Sequence, residues 1–151
     1  MALLYGHSEA VAEFVSKMLP GCERGFGACT AIGIIDGDGK LVAGLVYHNW
    51  HQEAGVIEIS GAAISKRWLT RPIIRAFLSY PFDGIGCQMI VARVDENLNH
   101  IRRMCKTAGG DEFVIPRLGG RGKSRAILTL TDDAWRNSKF ARKPNEFREN
   151  T

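Results

Sequence analysis

Between Gly55 and Gly110 the apolar residues change period, and back again, in a way that few folds accommodate. Gly55 to Ile64 is a short run rich in β-branched residues, as a buried or half-buried strand requires, and it stops at Ser65, Lys66 and Arg67. From Trp68 to Phe82 the residues Leu69, Ile73, Ile74, Phe77 and Leu78 recur at three- and four-residue steps, which is one face of a helix. Pro72 fits the first turn of that helix, where a missing N–H costs nothing. After Asp83 and Gly84, Ile85 to Val94 is strand-like again. Asp95, Glu96 and Asn97 then open a helix that carries Leu98, Ile101, Met104 and Cys105 and ends at Gly109 and Gly110. Strand, helix and parallel strand make a right-handed crossover, and ligands of such units sit at the carboxyl ends of the strands.

The flanking segments complete a mixed α/β (α+β) sheet. Met1 to Tyr5 is a very short strand or a leader. Ser8 is placed as the N-cap of an amphipathic helix carrying Val11, Phe14, Val15 and Leu19, which Pro20 and Gly21 stop. Thr30 to Ile35 and Lys40 to His48 form a hairpin around Asp36-Gly37-Asp38-Gly39. That turn has no acidic closing ligand for calcium, and His48 and His51 find no third partner for zinc, so no metal is expected. Downstream, Glu112 to Ile115 and Arg125 to Thr131 are strands joined by a loop from Pro116 to Ser124, and Thr131-Asp132-Asp133 caps a last short helix through Trp135. With 151 residues, 45% of them hydrophobic, the chain reads as one domain over 1–136 and a mobile polar tail over 137–151. Four cysteines without a C-x-x-C pair fit reduced thiols of a cytoplasmic protein, a Cys22–Cys29 bridge staying open, and no apolar run approaches the length of a membrane span. A net charge of +4 suits an anionic partner, nucleic acid or a phosphorylated cofactor, or simply a mildly basic surface.

The order Tyr80-Pro81-Phe82, Ile85-Gly86-Cys87, Asp95-Glu96-Asn97, Gly109-Gly110 resembles the core of the GNAT acyltransferase superfamily. Arg117, Gly119-Gly120, Arg125-Ala126-Ile127-Leu128 and Asp132-Asp133-Ala134-Trp135 continue the likeness, which runs from about Thr30 to about Trp135. The resemblance implies a GNAT-like domain, monomer or homodimer, that moves an acyl group, most simply acetyl from acetyl-CoA, to an amine-bearing acceptor by direct attack on the thioester. It implies acyl-CoA contacts from Ala62, Ile64, Lys66, Arg67, Trp68, Leu69, Thr70 and Arg71, and further on from Asn97 and Arg102. The family's glycine-bearing pyrophosphate loop is replaced here by Ser65-Lys66-Arg67-Trp68-Leu69-Thr70-Arg71, three cations at a helix start in place of the glycines; a solvated basic turn is the other reading. The family's frequent tyrosine acid has no counterpart, since Met104 and Cys105 stand at its place.

Glu58, inside an apolar strand, is the expected base, with Ser60 on the same strand face; a backbone amide between Ile59 and Ala62 would hold the oxyanion. Pointing into solvent is the alternative for that carboxylate. Tyr47, His48, Asn49 and Trp50 either line the acceptor pocket or form an ordinary hairpin tip. Arg117 and Arg121 belong to the strongest basic patch of the chain, placed near the acceptor mouth. Two other functions stay open: nucleic-acid base modification of the phage Mom type, which that patch favours, and a cofactor-less binding module, which the missing glycines favour.

Overall fold

The computed structural model describes residues 1–141. Seven strands form one sheet: β1 (Ala2–Leu4), β2 (Cys29–Ile35), β3 (Leu41–His51), β4 (Val56–Ala63), β5 (Met89–Asp95), β6 (Asp111–Gly120) and β7 (Lys123–Thr131). Their spatial order is β1-β2-β3-β4-β5-β7-β6. β4 and β5 are parallel, and the other neighbours are antiparallel. Four helices, α1 (Ser8–Met18), α2 (Arg71–Ser79), α3 (Asn99–Thr107) and α4 (Asp132–Asn137), cover the sheet unequally.

α1 lies on one face, its Val11 and Val15 buried against Ala31 of β2 and Val46 of β3. Two valines so buried contribute about 1.5–3 kcal/mol each. The close approach depends on Gly44, because a Cβ there would stand 2.8 Å from the methyls of both valines. Ser8 is the first helical residue and not the cap: its Oγ accepts from the amide of Ala31 at 3.0 Å, which ties the helix start to β2.

The opposite face carries α2, α3 and α4. Ile32, Leu45, Tyr47, Ile57 and Ile59 from the sheet meet Phe77, Leu78, Phe82 and Trp135 there, and Phe82 stacks on Trp135 at 6.1 Å. Further along the same face Ala126 and Leu128 meet Cys105 of α3.

Several boundaries differ from expectation, each for a local reason. α2 starts at Arg71 and not Trp68, because Ser65 caps a separate 3-10 turn, Lys66–Trp68, by accepting from the Arg67 amide at 3.2 Å. The end of the expected helix is a π-turn, Tyr80–Ile85, which drives Pro81 and Phe82 into the core and closes at Gly86 with φ 88°. β5 therefore begins at Met89. The loop expected over residues 116–124 is mostly strand: β6 and β7 run to Gly120 and from Lys123, leaving Arg121-Gly122 as the turn. At the far end Lys139–Ala141 forms a 3-10 turn with Phe140 buried, so the tail does not begin at Asn137. The rest of the expected tail lies outside the described residues. No helix among the described residues is long and apolar enough to cross a membrane.

Candidate active site

The parallel pair β4/β5 is short. Its register runs Val56↔Met89, Ile57↔Ile90, Glu58↔Val91 and stops, although β4 continues to Ala63 and β5 to Asp95. The two strands part from Glu58 onward and open the sheet at its middle.

Backbone hydrogen bonds on either side show which groups face that opening. Gly55 O accepts from the amides of Gln88 and Met89 on the β5 side, whereas Ile64 N donates to Val42 O of β3 at 2.9 Å. Successive residues of a strand turn their amides to opposite sides. The amides and carbonyls of Ile59, Gly61 and Ala63 therefore point into the gap, those of Ala62 and Ile64 away from it. A cleft of about 580 Å³ fills the space, walled by Ala63, Trp68, Ala92, Leu98, Ile101 and Met104 among others.

Where the strands part, polar groups collect on the α1 face. Glu58 and Ser60 line the cleft. Asn49, at φ 52° in a bulge between His48 and His51, turns its Nδ2 to Glu58 Oε1 at 3.1 Å. His48 is buried behind them, 7% exposed, with Nε2 at 2.8 Å from Ser60 Oγ and 3.8 Å from Glu58 Oε2. Phe26 covers its ring at 4.9 Å. Burial pushes the imidazole below its usual range, against the upward pull of the Glu58 carboxylate.

No protein-family model matches the chain, and no curated protein matches it by sequence. Solved structures do. A chimera of the spermidine N-acetyltransferase SpeG from Vibrio cholerae and hSSAT superposes with a TM-score of 0.70 at 11% identity, over 91% of this chain and 99% of that one. Mutant forms of the spermidine/spermine N-acetyltransferase SpeG from Vibrio cholerae give 0.63 at 14% identity, over 74% and 71%. A dodecameric structure of spermidine N-acetyltransferase from the same organism gives 0.60 at 13% identity, over 74% and 69%. The chain has the GNAT fold.

Within that fold the expected site residues separate. Glu58, Ser60, Ala62, Ile64 and Trp68 line the cleft. The amides of Ala62 and Ile64 are turned to β3, so the backbone groups that face the gap belong to Gly61 and Ala63 instead. Trp68 is 5% exposed, leans on Phe77 at 6.3 Å and forms part of the cleft wall. Lys66 and Arg67 lie in the 3-10 turn at the mouth, and the Arg67 side chain is exposed. Leu69 and Thr70 link that turn to α2 and do not line the cleft. Arg71 is engaged elsewhere: its Nη2 donates to Lys139 O at 2.7 Å, holding the last 3-10 turn.

Six other expected residues lie outside the cleft lining. Tyr47 is buried in the core on the α2 face, 1% exposed, and its hydroxyl donates to Phe77 O at 2.6 Å. Arg102 joins Glu112 and donates to Glu96 O at 2.6 Å, so it fastens α3 to β6 outside the cleft. Asn97 is exposed and does not cap α3, where Leu98 occupies the N-cap position and lines the cleft. Arg117 and Arg121 sit on the β6–β7 hairpin, exposed and outside the cleft lining. Trp50 is likewise exposed outside it, at 40%.

The cleft also recruits residues that the linear reading passed over. Arg93 and Asp95 of β5 and Arg125 of β7 line it, with Arg125 Nε 3.4 Å from Asp95 Oδ1. A signal for them was present, since Val91, Arg93 and Asp95 alternate along β5 onto the α1 face, and charges at that spacing mark a strand face open to solvent.

Proposed function

We propose that the protein is an acyl-CoA-dependent N-acyltransferase that moves an acyl group, most simply acetyl, from acyl-CoA to a primary amine. The observation that carries this reading is the divergence of β4 and β5, with the Gly61 and Ala63 backbone groups unpaired beside Glu58 and Ser60. An extended amide-bearing arm can pair with such an open strand edge as an added strand would. The pantetheine arm of CoA has that chemistry, and the apolar walls Leu98, Ile101 and Met104 suit its methylenes.

The mouth fits the phosphates less closely than the arm. Ser65 already takes the Arg67 amide of the 3-10 turn, and Pro72 removes another from the first turn of α2, so this stretch offers few donors. Arg67, exposed in the 3-10 turn, offers a cation to a pyrophosphate. Acyl-CoA, once bound, supplies a carbonyl activated by its thiol leaving group. The chain orients it along β4, offers an unpaired β4 amide to the oxygen that gains charge, and draws an ammonium to the Glu58 carboxylate that Asn49 steadies. Amine acceptors of spermidine type enter the reading because the neighbouring structures are named for that activity. The neighbouring structures lend no support to a nucleic-acid acceptor.

Calorimetric titration with acetyl-CoA and with CoA tests the reading, followed by thiol release in the presence of a panel of amines that includes spermidine. Micromolar binding, weakened about tenfold by Arg67→Ala and abolished by Ala92→Phe, is the expected result. Absence of binding at millimolar acetyl-CoA would sink it.

A further inference from the structure

We infer that Ser60 and His48 form a two-step proton path out of the cleft, His48 being the group on which the acceptor's proton comes to rest. This rests on the acyltransferase reading above and names the base within it.

The geometry singles out the pair. Ser60 and Glu58 line the cleft and His48 does not, so the imidazole reaches the reacting groups through a neighbouring side chain, and Ser60 Oγ is the one within hydrogen-bond distance of it. The 2.8 Å Oγ···Nε2 distance is that of a good hydrogen bond. Glu58 differs from His48 in this respect: its Oε1 already receives the Asn49 amide, and its Oε2 lies 3.8 Å from Nε2, near enough to balance an imidazolium. The groups facing His48 from its neighbours are few. β4 brings Glu58 and Ser60, β2 brings its register partner Cys29, and the loop before β2 brings Phe26. Glu58 is the charged one among them, and the Cys29 thiol is pushed up by burial and stays neutral. Desolvation keeps the resting imidazole uncharged at neutral pH, which is the form able to accept.

The step balances as follows. An ammonium proton passes to Ser60 Oγ while the Ser60 hydroxyl proton passes to His48 Nε2, and no bond to carbon is made. The freed amine adds to the thioester carbonyl, the C–S bond breaks with its electron pair on sulfur, and the second N–H proton goes to that sulfur to give the CoA thiol. His48 then returns its proton to solvent.

The test joins an equilibrium and a kinetic measurement. Imidazole resonances of wild type, Ser60→Ala and Glu58→Gln are followed against pH, and kcat/KM against pH is measured for wild type, His48→Gln, Ser60→Ala and Glu58→Gln with the best amine of the panel. We expect His48 to titrate below 6.5 and the wild-type rate to rise with pH to a plateau at that same midpoint. His48→Gln and Ser60→Ala should each lose about 10²-fold at neutral pH, with acetyl-CoA affinity within about threefold of wild type. Their rates should climb with pH until the amine's own pKa, while Glu58→Gln keeps the low-pH limb at a shifted midpoint. A His48→Gln profile that parallels wild type overturns the path, as does a limb that vanishes in Glu58→Gln and survives in His48→Gln, or a loss of acetyl-CoA affinity equal to the loss of rate. An active protein with any of these results leaves the acyltransferase reading standing, whereas a wild type that transfers to no amine removes both.

Discussion

Tyr47 shows how a residue that reads as a ligand contact becomes a support. Four residues beyond Phe77 stands Pro81, which has no N–H to give, so the Phe77 carbonyl lacks its usual helical donor. The Tyr47 hydroxyl supplies one at 2.6 Å from across the core. Tyr47→Phe should cost about 1–3 kcal/mol of stability, seen as a lower urea midpoint, with acetyl-CoA affinity unchanged. Buried titratable groups make the stability of the fold depend on pH, His48 on the acid side and Cys105, together with Tyr47, on the alkaline side. His48 is held below its ordinary 6.5, so its contribution is complete above that pH and lost as pH falls through the lowered value. Thermal melts should therefore soften in acid below 6.5, and this component should disappear in His48→Gln. Burial pushes the Cys105 thiol the other way, from 9.0 up to about 11, with Asp111 and Glu112 adding to the shift. Its contribution is present below pH 9.0 and lost as pH rises through about 11; Cys105→Ala, though less stable overall, should lack that alkaline decline.

Close approach governs the elements. α1 can lie flat on β3 because Gly44 offers no Cβ to Val11 and Val15, and Gly44→Ala should cost about 1–3 kcal/mol by overpacking, read as a fall in melting temperature. α3 leans on Gly110 in the same way: a Cβ there would meet Cys105 Sγ and stand 2.6 Å from Thr129 O, a backbone atom that cannot step aside. Gly110→Ala should therefore be the more damaging of the two. Elements with a clear period were legible in the chain, among them α1, the β2–β3 hairpin at Asp36 to Gly39, and the Thr131 cap of α4, whose Oγ1 accepts from Ala134 N at 3.2 Å. Boundaries were not. The helix from Trp68 to Phe82 broke into a 3-10 turn, α2 and a π-turn, because Trp68 and Phe82 are apolar for the sake of separate core contacts, and periodicity cannot tell those from one continuous face.

Across the whole molecule the divergence of β4 and β5 converts a sheet into a binding cleft. A ligand that bridges the two strands should stabilise the fold. Acetyl-CoA at a hundred times its dissociation constant adds about 2.7 kcal/mol, a rise of roughly 5–10 °C in melting temperature; Ala92→Phe should abolish the rise. Period and composition already specified a mixed α/β sheet and a parallel crossover at its centre, because alternation and helical spacing are local properties of the chain. Glu58 and Ser60 were readable as a pair on one strand face for the same reason. Which backbone groups stay unpaired, which cations are spent on structure and which histidine stands behind which serine were settled by tertiary packing. Arg71 and Arg102 look as available as Arg67 in the linear chain, and partners 68 and 10 residues away consume them. His48 meets Ser60 across 12 residues only because β3 and β4 pair in one register. Such contacts depend on where two strands cease to pair, and no residue type encodes that point.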